Sequence, residues 1–68
     1  MNYYELRTEL NDFEHWSDIL IAYLAEQQFE SFVEENPFLL AYIPEDMYDG
    51  AALQDLLGRI QQEANCIK

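Results

Sequence analysis

The stretch FESFVEENPFLLAYIP, residues 29–44, decides the fold. Polar and apolar residues alternate over 29–35, which is typical of a strand with one buried face. The Asn-Pro pair at 36–37 predicts a turn, and the apolar run at 38–43 predicts a second strand, which ends where Pro44 removes a backbone donor. Two strands joined by a short turn predict a β-hairpin. The two faces of its first strand are Phe29, Ser31 and Val33 on one side, and Glu30, Phe32 and Glu34 on the other.

A second alternating pattern precedes the hairpin, over residues 3–10. A period of two with one polar face predicts a half-buried strand. Its inward face consists of Tyr4, Leu6, Thr8 and Leu10, and its outward face of Tyr3, Glu5, Arg7 and Glu9.

Apolar residues spaced three and four apart predict two amphipathic helices, at about 13–28 and about 50–63. The Asn-Asp pair at 11–12 offers N-cap side chains for the first helix, and Asp49 offers one for the second. No glycine ends the first helix, and Gln28 falls at the left-handed C-terminal position that glycine adopts most readily. The core-facing stripes are Trp16, Ile19, Leu20, Tyr23 and Leu24 in the first helix, and Leu53, Leu56, Leu57 and Ile60 in the second.

The element order, strand-helix-strand-strand-helix, predicts one α+β domain over residues 1–68. This is the ferredoxin-like βαββα(β) arrangement, an antiparallel sheet with two helices on one face, with its last strand missing or truncated. Residues 65–68 are expected to begin that strand. Without it the first strand keeps an unpaired edge, which invites pairing with another chain, including a second copy of this one.

The composition is strongly acidic: 14 acidic against 3 basic residues give a formal net charge of -11. Such a charge repels nucleic acid and anionic lipid and attracts basic partners. Half of the residues are hydrophobic and 15% are aromatic, which is typical of a folded chain and not of an acidic disordered tail. The chain has one cysteine, Cys66, no signal-peptide pattern and no membrane-length apolar stretch. We therefore expect a cytoplasmic protein that binds neither membrane nor nucleic acid.

No catalytic, cofactor-binding or metal-ligating residue is predicted. The sequence has one histidine and one cysteine, too few for a site built from these ligands, and its two glycines are isolated, so no phosphate-cradling loop is indicated. Glu34 and Glu35 are adjacent in a strand and point to opposite faces, so they cannot act as a carboxylate pair. His15 is expected on the surface and Trp16 in the core.

The face of the sheet away from the helices is predicted to bind a protein. Its apolar members are Tyr3, Phe32, Leu40 and Tyr42, and its acidic rim consists of Glu5, Glu30 and Glu34. An apolar patch with a charged rim is typical of a protein-binding surface. The same residues would also be expected if a second domain of a parent protein covered this face. On this interpretation, Phe32→Ser and Tyr42→Ser weaken target binding and leave the fold intact.

A set of short stretches spread over nearly the whole chain points to a family. They are NYYE at 2–5, DIL at 18–20, LAE at 24–26, FESFVEE at 29–35, LAYIPE at 40–45, Tyr48-Asp49, Ala52-Leu53 and Leu56-Leu57. Together they resemble the N-terminal domain of the PrmA family, most closely its Bacteroides-type branch. PrmA is the methyltransferase that modifies the eleventh protein of the large ribosomal subunit. Gln28 departs from the family, which usually has glycine before the Phe-Glu-Ser run.

The resemblance implies a ferredoxin-type domain that recognises the ribosomal substrate and is joined to a Rossmann-like catalytic domain that binds S-adenosylmethionine. The parent enzyme would methylate lysine and N-terminal amines of this basic ribosomal protein. The family's cofactor motif has no counterpart within residues 1–68, so the chain is predicted to be a non-catalytic N-terminal fragment. Its acids would steer the basic target during encounter.

Two other functions fit the same sequence. One is a free-standing acidic interaction or inhibitor protein, which presents carboxylates in place of phosphates to a basic partner. The other is a small ligand-sensing domain, which would need a pocket and an oligomer. An enzyme in its own right is the least favoured function, because the sequence shows no nucleophile and base in a recognisable pattern.

Overall fold

The structure, a computed structural model, describes residues 2–67. Over this range the chain forms three β-strands, two α-helices and a short 3-10 helix. In chain order they are β1 (Tyr3–Glu9), α1 (Phe13–Glu26), β2 (Ser31–Glu35), β3 (Phe38–Pro44), the 3-10 helix (Glu45–Met47) and α2 (Gly50–Ala64). The predicted α+β order is confirmed, and the 3-10 helix lies between β3 and α2, where no element was predicted.

The strands form an antiparallel sheet in the order β1-β3-β2. β3 lies in the middle, where it pairs along its whole length with β1 and along residues 38–42 with β2. The most apolar stretch of the sequence thus becomes the strand with a neighbour on each side. The predicted hairpin between β2 and β3 is confirmed, with residues 36–37 as its loop.

The core lies between one face of the sheet and the helices. Alternate residues of β3, namely Leu39, Ala41 and Ile43, are at most 1% exposed and share a cluster with Leu24 of α1 and Leu56 of α2. The other buried members of this cluster are Leu10, Phe13, Leu20, Phe29, Leu53, Ile60 and Cys66. Complete burial of a large apolar side chain contributes about 1.5–3 kcal/mol, so this cluster is the main source of stability.

β2 joins the sheet through a β-bulge. The N–H of Glu30 donates to the carbonyl of Tyr42 at 2.9 Å, yet the Cα partner of Tyr42 is Ser31. Two consecutive residues therefore face one residue of β3, which is the defining feature of a bulge. Because side chains alternate along a strand, the extra residue moves every later side chain of β2 to the other face.

The bulge corrects the predicted orientation of β2. Phe32 is the Cα partner of Ala41, and Glu34 is the partner of Leu39, and both partners are buried on the helix side. Phe32 accordingly packs against the core. The prediction that Phe32 and Glu34 lie on the face away from the helices is wrong. The prediction that Glu34 and Glu35 point to opposite faces is confirmed by the same register.

α1 is rotated from its predicted orientation. Leu20 and Leu24 are buried as predicted, but Tyr23, which was expected in the core, is 43% exposed. Ser17, which is not part of the predicted apolar stripe, is 3% exposed and lies on the buried face together with Phe13. Close packing selects side chains by volume as well as by hydrophobicity, so a small hydroxyl residue is accommodated where the apolar pattern alone would not place it.

α2 follows its prediction closely. Leu53, Leu56 and Ile60 are buried, and Leu57 is half-buried beside them. Asp49 caps the helix as expected, since its Oδ1 accepts a hydrogen bond from the backbone N–H of Ala52 at 3.1 Å. The cap supplies a partner to one of the backbone donors that the first turn of a helix leaves unpaired.

α1 is flanked by residues with left-handed backbone. Asp12 precedes it with a φ of 51°, and its side chain makes no capping hydrogen bond, so the predicted capping role is wrong. Gln28 follows it with a φ of 78°, in the conformation predicted for it. A residue with a Cβ reaches this region at a cost of about 1–2 kcal/mol.

Gln28→Gly is expected to raise the free energy of unfolding by about 0.5–1 kcal/mol, because relief of the strain exceeds the extra freedom that glycine gives the unfolded chain. Chemical denaturation of the two proteins measures the difference. The matched control is Gln27→Gly: Gln27 has a φ of -88°, so glycine there should lower stability. Equal effects at the two positions would show that residue 28 is not strained.

The last described residues lie beside the outer edge of β1. Ile67 forms an antiparallel bridge with Leu10. The side-chain amide of Gln61 holds Ile67 in place, donating to its carbonyl at 2.8 Å and accepting from its N–H at 2.9 Å. This is where the start of a fourth strand was predicted at 65–68, of which Lys68 lies outside the described residues.

Candidate protein-binding face

The side of the sheet that points away from the helices is named here the open face. Its members follow from the strand register, because paired residues of neighbouring strands share a face. The open face consists of Tyr3, Glu5, Arg7 and Glu9 of β1, Phe38, Leu40 and Tyr42 of β3, Ser31, Val33 and Glu35 of β2, and Glu30 of the bulge. Aromatic and aliphatic side chains thus form a central row with acidic side chains beside it.

Most of the residues predicted for this face lie on it. They are Tyr3, Glu5, Glu30, Leu40 and Tyr42. Phe32 and Glu34 do not, because the bulge turns both toward the helices. Val33, which is 41% exposed, takes the place expected for Phe32, and Phe38 adds a ring that was not predicted. Counting back from the hairpin loop, and not forward from Phe29, would have placed Val33 on this face, and alternation from Leu40 would have placed Phe38 there.

Two tyrosines of the open face donate hydrogen bonds to carboxylates. The Tyr42 hydroxyl donates to Glu5 Oε2 at 3.0 Å, between Cα partners on β3 and β1. The Tyr3 hydroxyl donates to Glu30 Oε2 at 2.9 Å, reaching from β1 across β3 to the bulge. Each bond uses one of the roughly four lone-pair sites of a carboxylate, so it orients the acid and leaves it able to accept from a ligand.

These hydrogen bonds raise the pKa of both tyrosines above the ordinary value of 10.0. The bond to Glu30, followed by its charge, raises the pKa of Tyr3, and the bond to Glu5 is the main cause of the raised pKa of Tyr42. A raised pKa means that the folded state favours the protonated phenol. The associated stabilisation is therefore present below the unfolded-state pKa and is lost as the pH rises through the folded-state pKa.

We expect Glu30→Gln to lower the pKa of Tyr3 toward its ordinary value and Glu5→Gln to do the same for Tyr42, because each removes the carboxylate that holds the phenolic proton. NMR titration of the individual tyrosine rings measures both. The two variants serve as controls for each other. If either variant lowered the pKa of both tyrosines equally, the cause would be a general effect of charge and not the two specific hydrogen bonds.

Arg7 shows that the open face accommodates a basic side chain. Its Cζ lies 4.5 Å from the centroid of the Phe38 ring. A guanidinium over an aromatic ring is attracted by the negative charge on the ring face. Aromatic rings and carboxylates therefore occur together on this face in the combination that lysine and arginine side chains of another protein would need.

The chemistry-bearing groups elsewhere in residues 2–67 are sparse. In this range no group of three His, Cys, Asp or Glu side chains is arranged to hold a metal ion. Across the same residues, no helix has both the length and the apolar character needed to cross a membrane. His15 is exposed as predicted and meets the ring of Trp16 edge-on at 4.8 Å, while Trp16 is half-buried against the core.

A cavity of about 210 Å³ lies on the helix side of the sheet. Its lining includes Tyr4, Ile43 and Leu53, and the ring of Tyr4 meets that of Tyr48, another lining residue, edge-on at 4.7 Å. Small-molecule sites usually enclose about 300–1,000 Å³. This cavity and a second one of about 250 Å³ between α1 and α2, whose lining includes Leu56 and Ile60, are both below that range, so the open face is the stronger candidate.

Comparison of the chain with protein-family models, with curated proteins and with solved structures finds no match. The resemblance to the PrmA family therefore stays a prediction. The case for a function depends on the geometry of the open face.

Proposed function

We propose that this domain binds a basic protein through the open face. The observation that supports the proposal most strongly is the pairing of two tyrosines with two carboxylates, Tyr42 with Glu5 and Tyr3 with Glu30. The pairs hold two acids at fixed positions beside aromatic rings. Less side-chain entropy is therefore lost when a lysine or arginine of the partner binds to them. The net charge of -11 supplies the long-range attraction that brings a basic partner to the surface.

We propose further that the partner is a basic protein of the large ribosomal subunit and that the domain is the substrate-recognition part of a PrmA-type methyltransferase. The strand order β1-β3-β2 supports this, because a ferredoxin-like domain has the same order and places its fourth strand beside β1. Ile67 pairs at that position. In this proposal S-adenosylmethionine and the methyl transfer belong to a catalytic domain outside these residues, and the enzyme acts in the cytoplasm.

A pair of double variants tests the proposal. Glu5→Gln with Glu30→Gln removes both tyrosine-paired charges, and the control, Glu14→Gln with Glu63→Gln, removes two exposed charges from the helices. Calorimetric titration with the eleventh large-subunit protein should show affinity about fivefold to tenfold lower for the open-face variant, since two exposed charge pairs contribute roughly 1–1.4 kcal/mol. The control should lose less than about twofold.

The same experiment separates the proposal from the alternative of an acidic inhibitor that mimics phosphates. Phosphate mimicry uses negative charge wherever it lies on the surface. Equal losses in the two double variants would therefore support mimicry and contradict recognition by the open face. Unchanged affinity in both would show that neither set of acids meets the partner.

A further inference from the structure

The open face has an apolar middle with acids on either side. β3 supplies the middle, with Phe38, Leu40 and Tyr42 in line along the strand. In the row that contains Tyr42, Glu5 of β1 lies on one side and Glu30 of the bulge on the other, and each accepts a hydrogen bond from a tyrosine. Neighbouring strands lie about 4.8 Å apart, so the two outer strands are roughly 10 Å apart.

The two sides of the open face differ along their length. On the β1 side a base, Arg7, lies between the acids, and its guanidinium covers the ring of Phe38. On the β2 side the corresponding position is Val33, which is uncharged and 41% exposed, with Glu30 before it and Glu35 after it. Attraction for a basic partner is therefore strongest along β2, and the uncovered apolar surface lies toward the other end of β3.

This pattern across the face distinguishes between partner conformations. An amphipathic helix presents an apolar stripe with polar residues on both flanks, and its diameter with side chains is about 10–12 Å. That width is close to the separation of the two outer strands. An extended segment turns every second side chain toward the sheet in a single line, so its apolar and basic residues would have to share that line.

We propose that the segment bound on the open face is a basic amphipathic α-helix of the partner, lying along β3. This proposal rests on the proposed function, which supplies the basic partner. The apolar stripe of the helix contacts Leu40 and Tyr42, one basic flank faces Glu30 and Glu35, and the other faces Glu5. The seven residues of β3 span about 23 Å, which corresponds to roughly 15 residues of helix.

The positions of the acids predict the spacing of the basic residues in this helix. The rows of Tyr42 and Phe38 are four strand residues apart, about 13 Å. Residues on one flank of a helix recur after seven positions, or about 10.5 Å, and the long stem of a lysine or arginine spans the remainder. Basic residues at i and i+7 therefore meet Glu30 and Glu35, and the opposite flank carries no base where it faces Arg7.

Charge decides between a foreign helix and a second copy of this chain. Two copies that met through their open faces would bring acids against acids, and each copy carries a net charge of -11. Repulsion of this kind opposes association. A helix of opposite charge meets no such barrier.

Two synthetic peptides of about 15 residues and identical composition, built from alanine, leucine and lysine, test the proposal. One has leucines three and four apart with lysines on both flanks, including a pair seven apart, and the other alternates leucine with lysine. Their equal charge gives equal long-range attraction. NMR titration of the isotope-labelled domain should show the helical peptide binding on the open face with at least about tenfold higher affinity.

A pair of variants locates the helical peptide on the domain. Val33→Lys places a positive charge between Glu30 and Glu35 and should lower affinity for this peptide about fivefold to tenfold, because like charges would then face each other. Ala22→Lys adds the same charge at an exposed position of α1 and should change affinity by less than about twofold. Equal losses in the two variants would overturn the proposed site.

The outcomes separate this proposal from the proposed function. If the basic ribosomal protein shifts the open-face signals but the two peptides bind equally well, the helix is wrong and the proposed function stands. If neither that protein nor either peptide shifts these signals, both are wrong. Open-face signals that shift with the concentration of the domain itself, and not with the peptide, would show that a second copy occupies the face and would overturn the helix.

Discussion

Replacing Leu39 with alanine should lower the free energy of unfolding by about 3–4 kcal/mol, because truncation of a fully buried leucine removes its transfer energy and leaves a cavity. Leu39 is 0% exposed, at the centre of the middle strand. A 68-residue domain has a total stability of roughly 3–10 kcal/mol. The loss is therefore about a third or more of the total stability, and urea denaturation followed by far-UV circular dichroism would show it as a lower midpoint.

The neighbouring residue provides the control for this prediction. Leu40→Ala is the same substitution one position along, but Leu40 points to the open face and is half-buried. It should cost clearly less than Leu39→Ala, because Leu40 keeps part of its surface in water and its truncation at the open face leaves no enclosed cavity. Equal destabilisation by the two variants would contradict the assignment of the faces of β3.

Phe32→Ser and Tyr42→Ser should separate stability from binding. The bulge places Phe32 on the helix side, so Phe32→Ser should lower the free energy of unfolding by about 2 kcal/mol while the folded fraction still binds the partner normally. Tyr42 lies on the open face beside Glu5, so Tyr42→Ser should leave stability within about 1 kcal/mol and weaken binding about tenfold or more.

The two variants together form the test, since denaturation and binding are measured on both. Sequence patterning without the bulge predicts the opposite for Phe32, namely weaker binding and an intact fold. If Phe32→Ser behaved in that way, the bulge at Glu30 would be wrong, and with it the composition of the open face. If Tyr42→Ser bound normally, the proposed contact surface would be wrong even with the fold correct.

The order of elements could be predicted because each has a distinct local signal. Period-two alternation marks β1, three-and-four spacing marks both helices, and the Asn-Pro pair at 36–37 marks the hairpin loop. The faces of β1 and the apolar stripe of α2 also followed from periodicity, since both elements are regular along their length. Periodicity predicts which residues share a face only where the strand or helix is regular.

β2 could not be predicted by the same argument because it is irregular. One extra residue at Glu30 is enough to move Phe32 from one face to the other, and alternation counted from Phe29 carries that error along the strand. The three-residue spacing of Phe29 and Phe32 is the sequence signal that fits a bulge, because in a regular strand these two side chains would point to opposite faces. The tyrosine-carboxylate pairs could not be predicted for a related reason. That Tyr42 lies opposite Glu5 follows only from the register of β1 and β3.

The rotation of α1 has a different cause. Two stripes along this helix have acceptable spacing, one through Ile19 and Tyr23 and one through Phe13 and Ser17. Hydrophobicity favours the first, whereas the shape of the core selects the second. Packing volume is a property of the assembled elements, so the sequence of one helix does not contain it.

The central claim, that the open face meets a basic protein, is tested most directly by NMR. The eleventh large-subunit ribosomal protein would be titrated into the isotope-labelled domain while the backbone amide signals are followed. The account predicts saturable shifts that are largest for Glu5, Leu40 and Tyr42 and small for exposed positions of α1 and α2 such as Glu14 and Asp55. Shifts concentrated on the helices, or no shifts at saturating partner, would contradict it.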